Sequence, residues 1–251
     1  YQINELAASF YASLLHSKEN STIREYLIKR GIKYETARQF KLGFAPDKWD
    51  ALINYVRSKG YDLRSLDSSG LIIAKDSGGY HDRFRNRVIY PIFDIKSRVI
   101  AFGARVLDDS LPKYINSPET PLYVKGKNLY AFNLAKDSIR DNDSAVIVEG
   151  YMDCIIPFQH GLRNIVASLG TALTYEQARL IKRYTHNVVV VFDPDAAGEA
   201  ATLRSLDIFV EEGFSVKVVT LPKGFDPDLF VKTKGIDEFK RCIDSALNLF
   251  D

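Results

Sequence analysis

Four consecutive valines, Val188-Val189-Val190-Val191, constrain the fold of this chain more than any other feature. A strand of that kind has no polar face. Both faces must be covered, which is the condition of a parallel sheet held between helices. The rest of the back half has the same character. Apolar runs at Ala145–Val148, Asn164–Ala167, Asn187–Phe192 and Ser215–Thr220 alternate with helical stretches near 151–160, 174–185, 197–212 and 236–250. Thr174 followed by Gln177 predicts a capping box at the second of these helices. The expected architecture is an α/β domain with a parallel sheet flanked by helices.

The front half reads differently. Apolar residues recur at helical spacing through Leu6, Phe10, Leu14 and Leu15. Thr22 with Glu25 predicts a second capping box, and Gly31 should close the helix that it opens. Between Leu71 and Leu107 come short β-type runs, Leu71–Ala74, Val88–Phe93 and Val99–Val106. Turn residues at Asp76-Ser77-Gly78-Gly79 and Lys96-Ser97 separate them, as in a small antiparallel sheet. Residues 108–127, rich in Pro, Gly, Asn and Lys, read as an ordered loop. The expected division is an α+β unit over 1–127, the α/β unit over 128–240, and the start of a helical segment over 241–251.

Composition excludes several classes. The chain has 251 residues, 46% of them hydrophobic, which suits a soluble globular protein. No apolar run approaches the roughly 20 residues that span a bilayer, and no signal-peptide pattern is seen, so no membrane partner and a cytoplasmic location are expected. Two cysteines, Cys154 and Cys242, cannot build a thiolate zinc site, and the four scattered histidines show no ligand spacing. No zinc is expected. Charge is uneven: residues 1–80 and 81–127 carry net charges of +3 and +4, and residues 128–251 carry −5. A basic front half can grip phosphates, whereas an acidic back half repels them unless cations intervene.

Those acidic residues follow the strands. Glu149 comes directly after Val146-Ile147-Val148, with Asp153 four residues on; Asp193 and Asp195 follow the valine run; Asp226 and Asp228 lie past Leu221-Pro222-Lys223-Gly224. Open parallel sheets bind ligands at the carboxyl ends of their strands. In extended chain, residues two apart point the same way, so each Asp-Pro-Asp is expected to aim two carboxylates at one centre. Hard cations such as Mg²⁺, shared between carboxylates and substrate phosphates, remove the repulsion, and a pair of them serves in-line phosphoryl transfer. The plainer alternative is that an Asp before a helix is only its N-cap.

These residues resemble a known family. Val148-Glu149-Gly150-Tyr151-Met152-Asp153, Ala167-Ser168-Leu169-Gly170-Thr171-Ala172, Phe192-Asp193-Pro194-Asp195-Ala196-Ala197-Gly198 and Asp226-Pro227-Asp228 look like the Toprim domain of bacterial replicative primases of the DnaG type. Upstream, Asp82-Arg83-Phe84-Arg85-Asn86-Arg87, Phe102-Gly103-Ala104-Arg105 and Lys113-Tyr114-Ile115-Asn116-Ser117-Pro118-Glu119-Thr120 resemble the basic motifs of the same family, as do Arg30-Gly31 and Lys41-Leu42-Gly43-Phe44-Ala45-Pro46. Position 194 is Pro where the family often has Gly.

The resemblance implies an RNA polymerase catalytic core that makes short RNA primers on single-stranded DNA. Glu149 would be the catalytic acid residue, as metal ligand or proton acceptor. Asp193 and Asp195, also catalytic, would hold Mg²⁺ or Mn²⁺, two or more ions, together with Asp226 and Asp228; Asp153 would support them. Arg30, Arg85, Arg105, Lys113 and Lys125 would line a surface for template and nucleotide phosphates, with neutral contacts from Asn116 and Tyr114. Implied partners are the template, ribonucleoside triphosphates, the RNA–DNA hybrid product and the replicative helicase. Family members usually carry a zinc ribbon in front and a helicase-binding domain behind, and neither is expected here. On residues alone, Arg83, Arg85 and Arg87 could equally be one solvated face of a strand, and the Tyr80, Phe84 and Tyr90 rings belong in the core. A nuclease using the same metals, and a single-strand binding module with idle carboxylates, are the two rival readings.

Overall fold

The first helix, α1 (Gln2–His16), buries Ile3, Ala7, Ala8, Tyr11 and Leu15, one stripe at helical spacing. The computed structural model describes residues 1–108, 110–170, 173–192 and 206–248. They divide into two units, Tyr1–Lys125 and Gly126–Asp251.

In the first unit, α1 leads through a 3₁₀ turn to α2 (Ser21–Lys29) and α3 (Tyr34–Gln39). The capping box expected at Thr22 does not form: α2 opens a residue earlier, with Asn20 at its N-cap and no side-chain cap bond. Its other end is as expected, with Gly31 at φ 87° donating to the Ile28 carbonyl. Strands β1 (Gly43–Ala45), β4 (Arg87–Phe93), β5 (Val99–Val106) and β6 (Tyr114–Asn116) form an antiparallel sheet in the order β1-β4-β5-β6. Residues 108–127 are thus not all loop, because Tyr114–Asn116 pairs with the free edge of β5. The face of the sheet carrying Ile89, Phe93, Phe102 and Ala104 packs on α1 and on α4 (Ala51–Ser58). Gly43 permits the closeness of α1: a Cβ there would lie 2.5 Å from the Tyr11 Cβ.

Between these elements lie α5 (Leu63–Ser68) and a separate hairpin of β2 (Ile72–Ala74) and β3 (Tyr80–Asp82). Asp82 ties that hairpin to α4. It is 2% exposed and accepts backbone N–H bonds from Leu52 at 2.7 Å and Ile53 at 3.1 Å, the unpaired donors of the first turn of α4. Burial pushes its carboxyl up to about 6, with Asp50 adding to the rise and the N–H donors opposing it. The folded state therefore holds a proton that the unfolded chain releases near pH 4, and stability falls as pH rises through that window. Asp82→Asn keeps an acceptor and cannot ionise. Relative to the parent, it should gain on the order of 2 kcal/mol between pH 4 and pH 7 in urea denaturation. An unchanged difference across that range would show that Asp82 is not the titrating group.

The second unit begins with α6 (Phe132–Asp141) and builds a five-stranded sheet in the order β11-β10-β9-β7-β8. Strands β7 (Ala145–Val148), β8 (Ile165–Ala167), β9 (Asn187–Phe192) and β10 (Ser215–Thr220) are parallel. Val188, Val190 and Val191 are at most 2% exposed, as a strand covered on both faces requires. The connecting helices include α7 (Tyr151–Gln159), α8 (Tyr175–Lys182) and a helix α9, described over 206–211. Thr174 and Gln177 do form the reciprocal capping box of α8. After β10 come α10 (Pro227–Lys234) and α11 (Ile236–Asp244). The helix expected over 236–250 stops at Asp244, and Leu247–Asn248 becomes β11, an antiparallel edge strand on β10. No helix among the described residues is long and apolar enough to cross a membrane. Cys154 is buried and Cys242 half-buried, and both are free.

Candidate functional site

The carboxyl end of β7 is shaped by two backbone devices. Ser168 and Leu169 donate to the Val148 and Glu149 carbonyls, extending the β7–β8 pairing past the strands. Leu169 and Gly170 then take φ values of 64° and 71°, in the left-handed region, which ends the extended backbone. Glu149 is left half-exposed at the head of α7. At Gly150 a Cβ would lie 2.7 Å from Asp153 Oδ2, so a larger residue would have to displace that carboxylate.

Asp153 is the third residue of α7, and its Oδ2 accepts the Gly150 N–H at 3.1 Å, the return half of a capping box. Its Oδ1 faces the other acidic segment, 3.4 Å from the Asp228 N–H. Burial, then the charge of Asp226, then that of Asp228, push the Asp153 carboxyl up to about 7 against the pull of these two N–H donors. Three carboxylates from α7 and the start of α10 therefore share one field.

Asp226-Pro227-Asp228 is not the extended segment assumed from its spacing. Asp226 is the N-cap of α10 and accepts the Leu229 N–H at 2.6 Å; Pro227 is the first helical residue. Asp228 lies within the first turn, 5% exposed, and pairs with Lys232 at 2.6 Å one turn on. Sequence reasoning missed Lys232, although its spacing from Asp228 is visible once α10 is recognised. Asp193 and Asp195 fall outside the described residues. Among the described residues, no three His, Cys, Asp or Glu side chains are placed to hold a metal ion by themselves.

The basic candidates lie in the first unit, on two surfaces. Arg105 is on β5, opposite Tyr114 of β6, while Asn116 and Tyr90 oppose Gly103, two residues away on the same strand. All four side chains therefore share the face turned away from α1. Arg105 donates from Nε to the Tyr26 hydroxyl of α2 at 3.1 Å and from Nη1 to the Tyr114 hydroxyl. Arg30 ends the same helix. Burial holds the Tyr90 phenol well above its usual range, Tyr114 adds to this, and the charges of Arg105 and Arg30 pull it back. Lys113 is exposed just before β6, and Lys125 opens a 3₁₀ turn with its N–H 3.3 Å from Glu119.

Arg83, Arg85 and Arg87 do not form one strand face, because Asn86 at φ 47° bends the chain between β3 and β4. Arg83 donates to the Gly70 carbonyl at 2.6 Å, and Arg87 donates to the Pro112 carbonyl at 3.1 Å. Only Arg85 faces an exposed group, its guanidinium 3.2 Å from the ring centre of Trp49, which is 55% exposed. Trp49 was not singled out in the sequence. Phe84 and Tyr90 are each 1% exposed, and Tyr80 packs against the core.

An antiparallel basic unit followed by an α/β unit with carboxylates beyond its strands defines the class, and comparison with known proteins gives the family. The family described as DNA primase catalytic core, N-terminal domain, matches residues 10–136, and the Toprim-like family matches 146–231. The DNA primase of Clostridium acetobutylicum is 50% identical over the whole of this chain, which covers 41% of that protein. The DNA primase of Escherichia coli K12 is 37% identical over 99% of the chain and 43% of its own length. A DnaG primase catalytic domain bound to single-stranded DNA superposes with a TM-score of 0.92 at 36% identity, over 99% of this chain and 81% of that one. The chain belongs to the family of DnaG-type DNA primase catalytic cores, and it spans less than half the length of these two curated relatives.

Proposed function

We propose that this chain is the catalytic core for RNA primer synthesis on single-stranded DNA, by metal-dependent nucleotidyl transfer. The observation that carries the reading is the meeting of Asp153, Asp226 and Asp228 past the carboxyl end of β7, beside Glu149. The donors are all carboxylate oxygens, and the charges of Asp226 and Asp228 raise the cost of ionising Asp153, which fits a hard divalent cation. Glu149, Asp193, Asp195, Asp226 and Asp228 would hold Mg²⁺ or Mn²⁺, two or more ions, with Asp153 in support. Bound there, the metal supplies activation of the attacking hydroxyl and charge relief on the leaving group.

The ribonucleotide 3′-oxygen forms a bond to the α-phosphorus of the next ribonucleoside triphosphate. The bond to the β-phosphate oxygen breaks, pyrophosphate leaves, and the hydroxyl proton passes to Glu149 or to water. Arg30, Arg85, Arg105, Lys113 and Lys125 contact template and nucleotide phosphates, aided by Asn116 and Tyr114. Trp49, half exposed and with its ring centre 3.2 Å from the Arg85 guanidinium, offers a base-stacking ring to the strand. The RNA–DNA hybrid as product, the replicative helicase as a partner of the whole protein, and action at the replication fork on the nucleoid belong to the same reading.

Asp226→Asn tests the metal centre without disturbing the fold, because Asn caps a helix as well as Asp. Mn²⁺ affinity by calorimetry should fall at least about 10-fold with an unchanged melting temperature. Wild-type affinity in this variant would remove Asp226 from the metal centre.

A further inference from the structure

We propose that Tyr26 belongs to the phosphate-binding surface, both fixing the orientation of Arg105 and offering its own hydroxyl proton to the same phosphate. The inference rests on the reading of Arg105 as a phosphate contact, and it adds a residue from a different element. Arg105 is half-buried on β5, and a free arginine there could swing through many rotamers. Two neighbours prevent that. The Tyr26 hydroxyl, from α2, accepts its Nε–H at 3.1 Å, and the Tyr114 hydroxyl, from β6, accepts from Nη1. The guanidinium also lies 4.9 Å from the centre of the Tyr114 ring.

Neither bond uses Nη2, and no other partner for Arg105 exists among the described residues, so the outer fork of the guanidinium is left for a ligand. The Tyr26 oxygen is likewise committed as an acceptor while its own proton meets no acceptor among the described residues. A half-buried phenol that orders an arginine and keeps a donor to spare matches the needs of an anion. Arg30, which ends the helix of Tyr26, adds a second positive charge near Tyr90, and Asn116 adds a neutral group on the same sheet face. The ligand chemistry is a phosphate, which a template backbone and a nucleotide triphosphate both carry.

The test compares Tyr26→Phe, Arg105→Ala and the double variant in the full chain. Fluorescence anisotropy with an oligo-dT strand across a salt series reads the template source. The KM for ribonucleotide in primer extension reads the nucleotide source. Tyr26→Phe should weaken one or both roughly 3- to 10-fold, with kcat and melting temperature close to the parent. Since no charge is removed, its slope of log affinity against log salt should stay at the parental value, whereas Arg105→Ala should lower that slope by about 0.7. The double variant should bind more tightly than the product of the two single losses predicts, because both residues act on one phosphate and part of the Tyr26 effect runs through Arg105. If Arg105→Ala weakens binding and Tyr26→Phe does not, or if their effects add, the role of Tyr26 is wrong. If Arg105→Ala leaves affinity, slope and KM unchanged, Arg105 is not a phosphate contact and the inference falls with it.

Discussion

Glu149→Gln should reduce ribonucleotide incorporation at least about 100-fold while the protein melts at its parental temperature. The change is isosteric and removes one negative charge. The pairing that extends β7 past its end runs through the backbone carbonyl of Glu149, which receives the Leu169 N–H and is unchanged by the substitution. The helix that follows is organised by Gly150 and Asp153, which the substitution leaves in place. The large effect is therefore expected on turnover and on metal affinity, and single-strand binding in the absence of metal should be close to normal. Primer synthesis within a few-fold of the parent would show that another group carries the chemistry.

The largest expected effect on stability comes from Phe102→Ala. Phe102 sits within the Phe102-Gly103-Ala104-Arg105 motif, yet it faces the opposite side of β5 from Arg105 and is fully buried. Its ring meets Tyr11 edge-on at 5.9 Å and Phe84 at 6.3 Å. Removing it opens a cavity between α1 and the sheet that close-packed neighbours fill only in part. The loss should be about 3–5 kcal/mol, a large share of the stability of a domain of this size. Urea denaturation measures it, and a loss below about 1 kcal/mol would mean that α1 is not the cover of this sheet. The motif thus has two faces, one in the core and one carrying the arginine proposed to contact phosphate.

What could be read in the sequence followed from how much surface a segment buries. Strands β7 and β9 lie where their continuous apolar runs place them, since a two-sided burial requirement leaves little choice of ends. Short edge elements escaped for the converse reason. Strands β1 and β6 are three residues each and owe their existence to pairing with β4 and β5 rather than to any run of their own. The start of α10 was misread because Asp-Pro-Asp suits an extended turn as well as a helix start. A proline that fixes φ at the first helical position, with Asp226 capping it, decided the matter.

At the candidate site, the residue types were legible but their companions were not. Asp226 and Asp228 stand out in the sequence, whereas the contact of Asp228 with Asp153 spans 75 positions and leaves no local pattern. The same is true of Tyr26 on Arg105, 79 positions away, and of Asp82, whose carboxylate answers backbone donors that any residue would have supplied. Arg83 and Arg87 read, with Arg85, as one solvated face of a strand. Their hydrogen bonds to the Gly70 and Pro112 carbonyls make them structural.

The most direct test of the account is incorporation of labelled ribonucleoside triphosphates on a single-stranded DNA of defined sequence, with Mn²⁺, with Mg²⁺ and with chelator. The account predicts short, alkali-labile products complementary to the template, one pyrophosphate released per nucleotide added, no new DNA ends, and no product in chelator. Metal-dependent DNA cleavage without pyrophosphate, or tight strand binding with no product even when an RNA primer is supplied, would contradict it.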